Sequence, residues 1–197
     1  MAQSKEQSDV DIAQLKKQHG VDIALTGDII LAVGKDDDKM SLRVSSLFLK
    51  STSKVFAAMF GPRFAEGQGL NESNPRTVPL PDDNPFAMRI ICSELHLRTD
   101  LVPDELTTSE FYSIACLVNK YDCHIALKRL FQVWMMNTES TTDPNTLALH
   151  MVSAYIFDDA TAFERITHDL IVHYDMPYIK LWEDVVSCFV PWKALGN

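Results

Sequence analysis

A chain of 197 residues with 46% hydrophobic and 23% charged residues has the make-up of an ordinary folded protein. That length suits one domain of about 130 residues plus a helical extension. The net charge of -9 and the absence of any Lys/Arg cluster argue against holding a phosphate backbone, so no nucleic-acid partner is expected. No apolar run approaches the roughly 18 residues that would span a bilayer. The polar, mixed-charge start from Met1 to Lys17 reads as neither signal nor transit peptide. Together these imply an intracellular protein of cytoplasm or nucleus, without membrane contact. Cys92, Cys116, Cys123 and Cys188 stand singly on apolar stretches and read as reduced, largely buried thiols.

Residues 1–20 carry little apolar periodicity apart from Ile12 and Leu15, which predicts a poorly ordered start with one short helix. Asp28-Ile29-Ile30-Leu31-Ala32-Val33-Gly34 is a β-branched run and reads as a buried strand. Met40-Ser41-Leu42-Arg43-Val44-Ser45 alternates with period two. The two strands make a hairpin around Lys35 to Lys39, in which Asp36-Asp37-Asp38 is a solvated turn. The pattern then turns helical. Leu49, Phe56 and Phe60 share a face, with Val55 and Met59 beside them, and Ser53 is the expected N-cap of Lys54 to Phe60. Gly61-Pro62 stops that helix and opens a loop rich in Gly and Asn. Arg76-Thr77-Val78-Pro79-Leu80 reads as an edge strand, because Pro79 cannot donate to a ladder.

Asp83 or Asn84, with Pro85 in the first turn, opens a helix to about Leu97 carrying Met88, Ile91 and Leu95. Thr108 or Ser109 caps the next, whose inward series is Phe111, Ile114, Ala115, Val118 and Tyr121. Another follows with Leu127, Leu130, Phe131 and Trp134. The all-polar run Thr138 to Asp143 marks an internal boundary. Leu147-Met151-Ala154 and Phe163-Ile166-Leu170 then predict two more amphipathic helices, and Asp175 to Pro191 is aromatic without a clear period. The order strand, strand, helix, strand, then helices defines an α+β class with segregated elements.

No nucleophile elbow or phosphate-binding loop is present. Cys92 and His96 lie one helical turn apart but lack a second ligand pair for zinc. Cys123 and His124 are adjacent on a helix and point about 100° apart, so they do not form a nucleophile and base. Neither an enzyme nor a bound cofactor or metal is expected.

The segment Leu42-Arg43-Val44-Ser45-Ser46-Leu47-Phe48-Leu49-Lys50-Ser51-Thr52-Ser53-Lys54-Val55-Phe56-Ala57-Ala58-Met59-Phe60 resembles the signature of BTB/POZ domains, in which a strand leads into two short helices. Asp28 is similar to the family's Asp ahead of the first hairpin strand. Val78-Pro79-Leu80-Pro81-Asp82-Asp83 is similar to the third strand and the turn after it, and Val118-Asn119-Lys120-Tyr121-Asp122-Cys123 to a helix end common in fungal members. The resemblance covers about residues 25–137. It implies a short three-stranded sheet with a hairpin, flanked by a cluster of helices.

Two positions depart from the family. Ser45 stands where many members carry a His that shares a polar pocket with the Asp matched here by Asp28. The segment Asp9 to Gly20 is poor in the leucines that strongly dimerising members carry there, which implies a weak homodimer, with a monomer as the alternative. Phe64-Ala65-Glu66, just after Met59 and Phe60, fits the hydrophobic-x-Glu pattern by which many such adaptors engage cullin-3. Phe64, Glu66, Phe60 and Met59 are therefore the expected partner-binding residues, and Asp28 the pocket residue.

The expected organisation is an N-terminal segment over 1–24, a BTB/POZ domain over 25–137 and a helical extension over 138–197. The resemblance implies a protein-protein interaction module, serving as substrate adaptor or scaffold for a cullin-3 type ubiquitin ligase. The alternative is a self-assembling structural or transcription-associated scaffold with no ubiquitin link.

Overall fold

In the computed structural model, which describes residues 19–137 and 141–173, a small mixed sheet is followed by helices. The strands are β1 (Gly20–Asp22), β2 (Ile29–Val33), β3 (Met40–Val44) and β4 (Arg76–Leu80), in spatial order β1-β3-β2-β4. β2 and β3 form the antiparallel hairpin the sequence predicts, with Ile29 opposite Val44, Leu31 opposite Leu42 and Val33 opposite Met40. That register puts every apolar residue of β3 on the buried face and Ser41 and Arg43 on the other, as period-two alternation requires. β4 runs parallel to β2 at one edge, where the missing N–H of Pro79 costs no ladder bond on its open side. β1, parallel to β3, makes the sheet four-stranded where three strands were expected. Three residues, Gly-Val-Asp, are too few to show an alternation, so no periodicity announces this strand.

Seven α-helices occur among the described residues: α1 (Ser46–Thr52), α2 (Lys54–Met59), α3 (Pro85–Leu95), α4 (Thr108–Tyr121), α5 (His124–Asn137), α6 (Pro144–Ile156) and α7 (Ala160–His173). Ser53 both ends α1 and caps α2. Its hydroxyl accepts the Phe56 N–H at 3.0 Å and donates to the Tyr121 carbonyl at 2.5 Å. Asn84 caps α3 by accepting the Ala87 N–H at 2.9 Å, with Pro85 in the first turn, and Asp143 caps α6 in the same way. α3 is buried nearly all round, well beyond the single face its spacing suggests.

The chain divides into two units, Met1–Glu105 with Leu117–Leu127, and Leu106–Cys116 with Lys128–Asn197. The first holds the sheet, α1 to α3 and the end of α4. Its core joins Leu31, Leu42, Leu49, Phe56, Phe60, Met88 and Ile91, and Phe56 stacks on both Phe60 (5.7 Å between centroids) and Tyr121 (4.3 Å). The second is centred on aromatic rings: Phe131 stacks on Phe111 at 5.5 Å and on Phe157 at 4.3 Å, and Trp134 meets Phe111 edge-on. Leu127, Phe131 and Trp134 are buried as expected, but Leu130 is only half-buried. No described helix is long and apolar enough to cross a membrane. The helix expected within residues 1–20, the aromatic stretch 175–191 and Cys188 lie outside the described residues.

Candidate functional site

Phe56, Phe60 and Phe64 are spaced four apart, so one continuous helix would bury all three on the same side. Gly61-Pro62 breaks that series. Phe60 stays in the core at 2% exposed, whereas Phe64 emerges in the following loop at 52% exposed. Of the four residues expected to face a partner, then, Phe64 stands free and Glu66 and Met59 are half-buried. Phe60 is corrected: stacked on Phe56, it offers no surface to a partner.

The loop that carries Phe64 is folded onto itself. The Phe64 N–H reaches the Gly61 carbonyl at 3.4 Å, and Ala65–Gly67 form one 3-10 turn in which Gly67 N–H donates to the Phe64 carbonyl at 3.2 Å. The Gln68 amide donates across the loop to the Pro62 carbonyl. At Gly67 a side chain has no room, because a Cβ there would collide with the Gly61 carbonyl oxygen and lie 2.6 Å from the Phe60 carbonyl carbon. Two arginines on the sheet hold the remainder. Arg76 Nη1 donates to the Gln68 carbonyl at 3.1 Å, and Arg43 donates from Nη2 to the Glu72 carbonyl at 2.9 Å and from Nε to Gly27 at 3.1 Å.

Asp28 is half-buried at the start of α1, where its carboxylate accepts the Ser46 N–H and the Ser46 hydroxyl, each at 2.7 Å. A carboxylate at a helix N-terminus satisfies otherwise orphaned N–H groups and complements the helix dipole. The neighbouring Ser45 N–H donates to His96 Nε2 at 2.9 Å, so the ring proton sits on Nδ1, 2.7 Å from the Cys92 carbonyl it donates to. A histidine thus does bond the chain one residue before the Ser46 that Asp28 holds, and it comes from the end of α3 and not from position 45. Burial holds the His96 pKa below the ordinary value, which keeps the ring neutral and able to accept. Sequence reading considered His96 only as a metal ligand beside Cys92. The signal that would have reassigned it, proximity to residue 45, spans 51 positions.

His96 also contacts Phe48, with centroids 5.1 Å apart. Leu25, Leu47, Phe48 and Leu97 are each exposed, and Phe48 and Leu97 flank this ring in contact and in sequence. Arg98 ties the parts together by donating to the Ile23 carbonyl at 3.2 Å. Leu97 occupies the position just past the α3 cap with φ +60°, a left-handed conformation that usually falls to glycine, and is 76% exposed.

A third feature is buried. Asp83, 5% exposed, accepts from Tyr121 Oη at 2.5 Å and pairs with Lys120 Nζ at 2.6 Å, and burial followed by this bond pushes the tyrosine pKa up. On its outer side is a shallow depression of about 550 Å³, lined by Lys35, Asp36, Asp37, Asp38 and Asp82, in which Asp82 is paired with Lys35 at 2.6 Å. In the comparison with known proteins, no family model matches the chain and no curated protein is significantly similar to it.

Proposed function

We propose that this chain is a protein-interaction module of the BTB/POZ type, acting as a substrate adaptor or scaffold for a cullin-3 type ubiquitin ligase. Phe64 and Glu66 are its docking residues. The observation that carries this reading is the exposure of Phe64 on a loop whose backbone is closed by its own hydrogen bonds. A phenylalanine that folding leaves half in water still gains about 0.8–1.5 kcal/mol, half the value for full burial, when a partner's groove covers the rest. The sequence of hairpin, two short helices, edge strand and long helices supports the same reading. Phe64→Ala is expected to weaken binding of the cullin-3 N-terminal region about tenfold, or about 1.4 kcal/mol, with little change in melting temperature. Glu66→Lys weakens it further at low salt than at high salt, since a rim charge is screened. Calorimetric melting and a titration of the purified cullin fragment give both numbers. A mutant that melts early but binds normally per folded molecule removes Phe64 from the docking role.

The second reading, a self-assembling scaffold, draws on the exposure of Leu97. A leucine held exposed in a left-handed conformation costs about 1–2 kcal/mol that glycine would avoid. Leu97→Gly should therefore raise the stability of the monomer by about 1 kcal/mol while weakening any self-association. Sedimentation equilibrium over a concentration series reads the second effect. Unchanged association in the variant removes Leu97 from a dimer contact.

A further inference from the structure

Resting on the docking reading above, we infer that Gly67, Gln68 and Arg76 are positioning residues for the partner site. They hold Phe64 out of the core and preset the loop for binding. None needs to touch the partner. Gly67 closes the loop where any side chain would meet the backbone of Phe60 and Gly61, and that obstacle cannot be relieved by a rotamer change. Gln68 spans the loop from Pro62 by its side chain, and its own carbonyl is held by Arg76 at 3.1 Å. Arg76 begins β4, where its N–H donates to the Asp28 carbonyl at 3.0 Å, so the strap is anchored in the sheet. The loop thus has one closure and one strap between the buried Phe60 and the first residue of a strand. A segment already ordered in its bound geometry avoids the ordering cost at association, so loosening the strap lowers the fraction of molecules competent to bind.

The test uses the full chain and the purified N-terminal region of cullin-3 as probe, with amide hydrogen exchange measured in parallel. Gly67→Ala and Arg76→Gln are each expected to weaken binding about three- to tenfold and to speed exchange of the Gly67 and Gln68 amides, while Arg76→Lys restores both. In a Phe64→Ala background, Arg76→Gln should add nothing to the loss, because its effect acts through Phe64. A residue that merely supported the fold would lower binding equally in both backgrounds. Should Gly67→Ala fail to fold, Arg76→Gln and its lysine control decide alone. Binding lost with Phe64→Ala but unchanged by Arg76→Gln, or unchanged amide exchange, overturns the inference and leaves the docking reading standing. A wild-type chain that ignores the probe overturns the docking reading and the inference with it.

Discussion

Tyr121→Phe is the cleanest single perturbation of the first unit, because it deletes one oxygen and leaves the ring. The phenyl group can keep its stack on Phe56 at 4.3 Å, and the backbone carbonyl can keep the Ser53 hydroxyl at 2.5 Å. What disappears is the bond from the phenol to the Asp83 carboxylate, at 2.5 Å and inside the protein. Hydrogen bonds to charged groups contribute about 1.5–3 kcal/mol, and the buried acceptor cannot turn to water instead. Lys120 still pairs with Asp83 from its half-exposed side, so the carboxylate is not left alone and the loss should stay within that range. Urea denaturation followed by circular dichroism should show a destabilisation of about 1.5–3 kcal/mol, and a scan a melting temperature about 5–10 °C lower. Combined with Asp83→Asn in a double-mutant cycle, the coupling should be about 1–2 kcal/mol. A loss under about 0.5 kcal/mol would mean the carboxylate is solvated, and the account of this corner of the core would be wrong.

Two further outcomes follow from the packing. Phe56, fully buried between Phe60 and Tyr121, should cost about 3–5 kcal/mol when cut to alanine, and a loss below about 1 kcal/mol in urea melts would refute its place in the core. Stability should also fall with acid. Burial lowers the pKa of His96, and burial with a nearby Arg165 lowers that of His150, so the unfolded chain takes up protons first. Stability is then complete above the ordinary histidine value near about 6.5 and declines as pH drops below it. Urea midpoints at two pH values, one above and one below that value, read the slope. His96→Gln should flatten it, and an unchanged slope refutes the assignment to His96.

The strands of the hairpin, the cap at Ser53, the start of α3 at Asn84-Pro85 and the inward face of α4 were all legible in the sequence. Each is a local matter of periodicity or of a side chain bonding its own neighbouring backbone. The emergence of Phe64 was legible too, since a Gly-Pro pair cuts a four-residue aromatic series. Phe60 was misread for the complementary reason: it lies next to the loop in sequence but, capping the end of α2, packs inward on Phe56. What the sequence hid were contacts between distant positions, His96 with Ser45 and Asp83 with Tyr121, which no spacing rule reaches. The passage from one unit to the other was hidden as well. It falls inside α4 and α5, where a helix continues without any change of composition.

The aromatic centre of the second unit has a consequence for the order in which the chain is made. Phe111 is synthesised well before Phe131, and both precede Phe157, the ring that Phe131 stacks against. Until α6 and the Phe157 that follows it have left the ribosome, Phe111 lacks His150, Phe131 lacks Phe157, and both present wet apolar surface. The first unit is likewise incomplete until Tyr121 appears, after a stretch that belongs to the second. Nascent chains stalled between these points should be sticky, and release from a chaperone should come late in translation, with the arrival of α6.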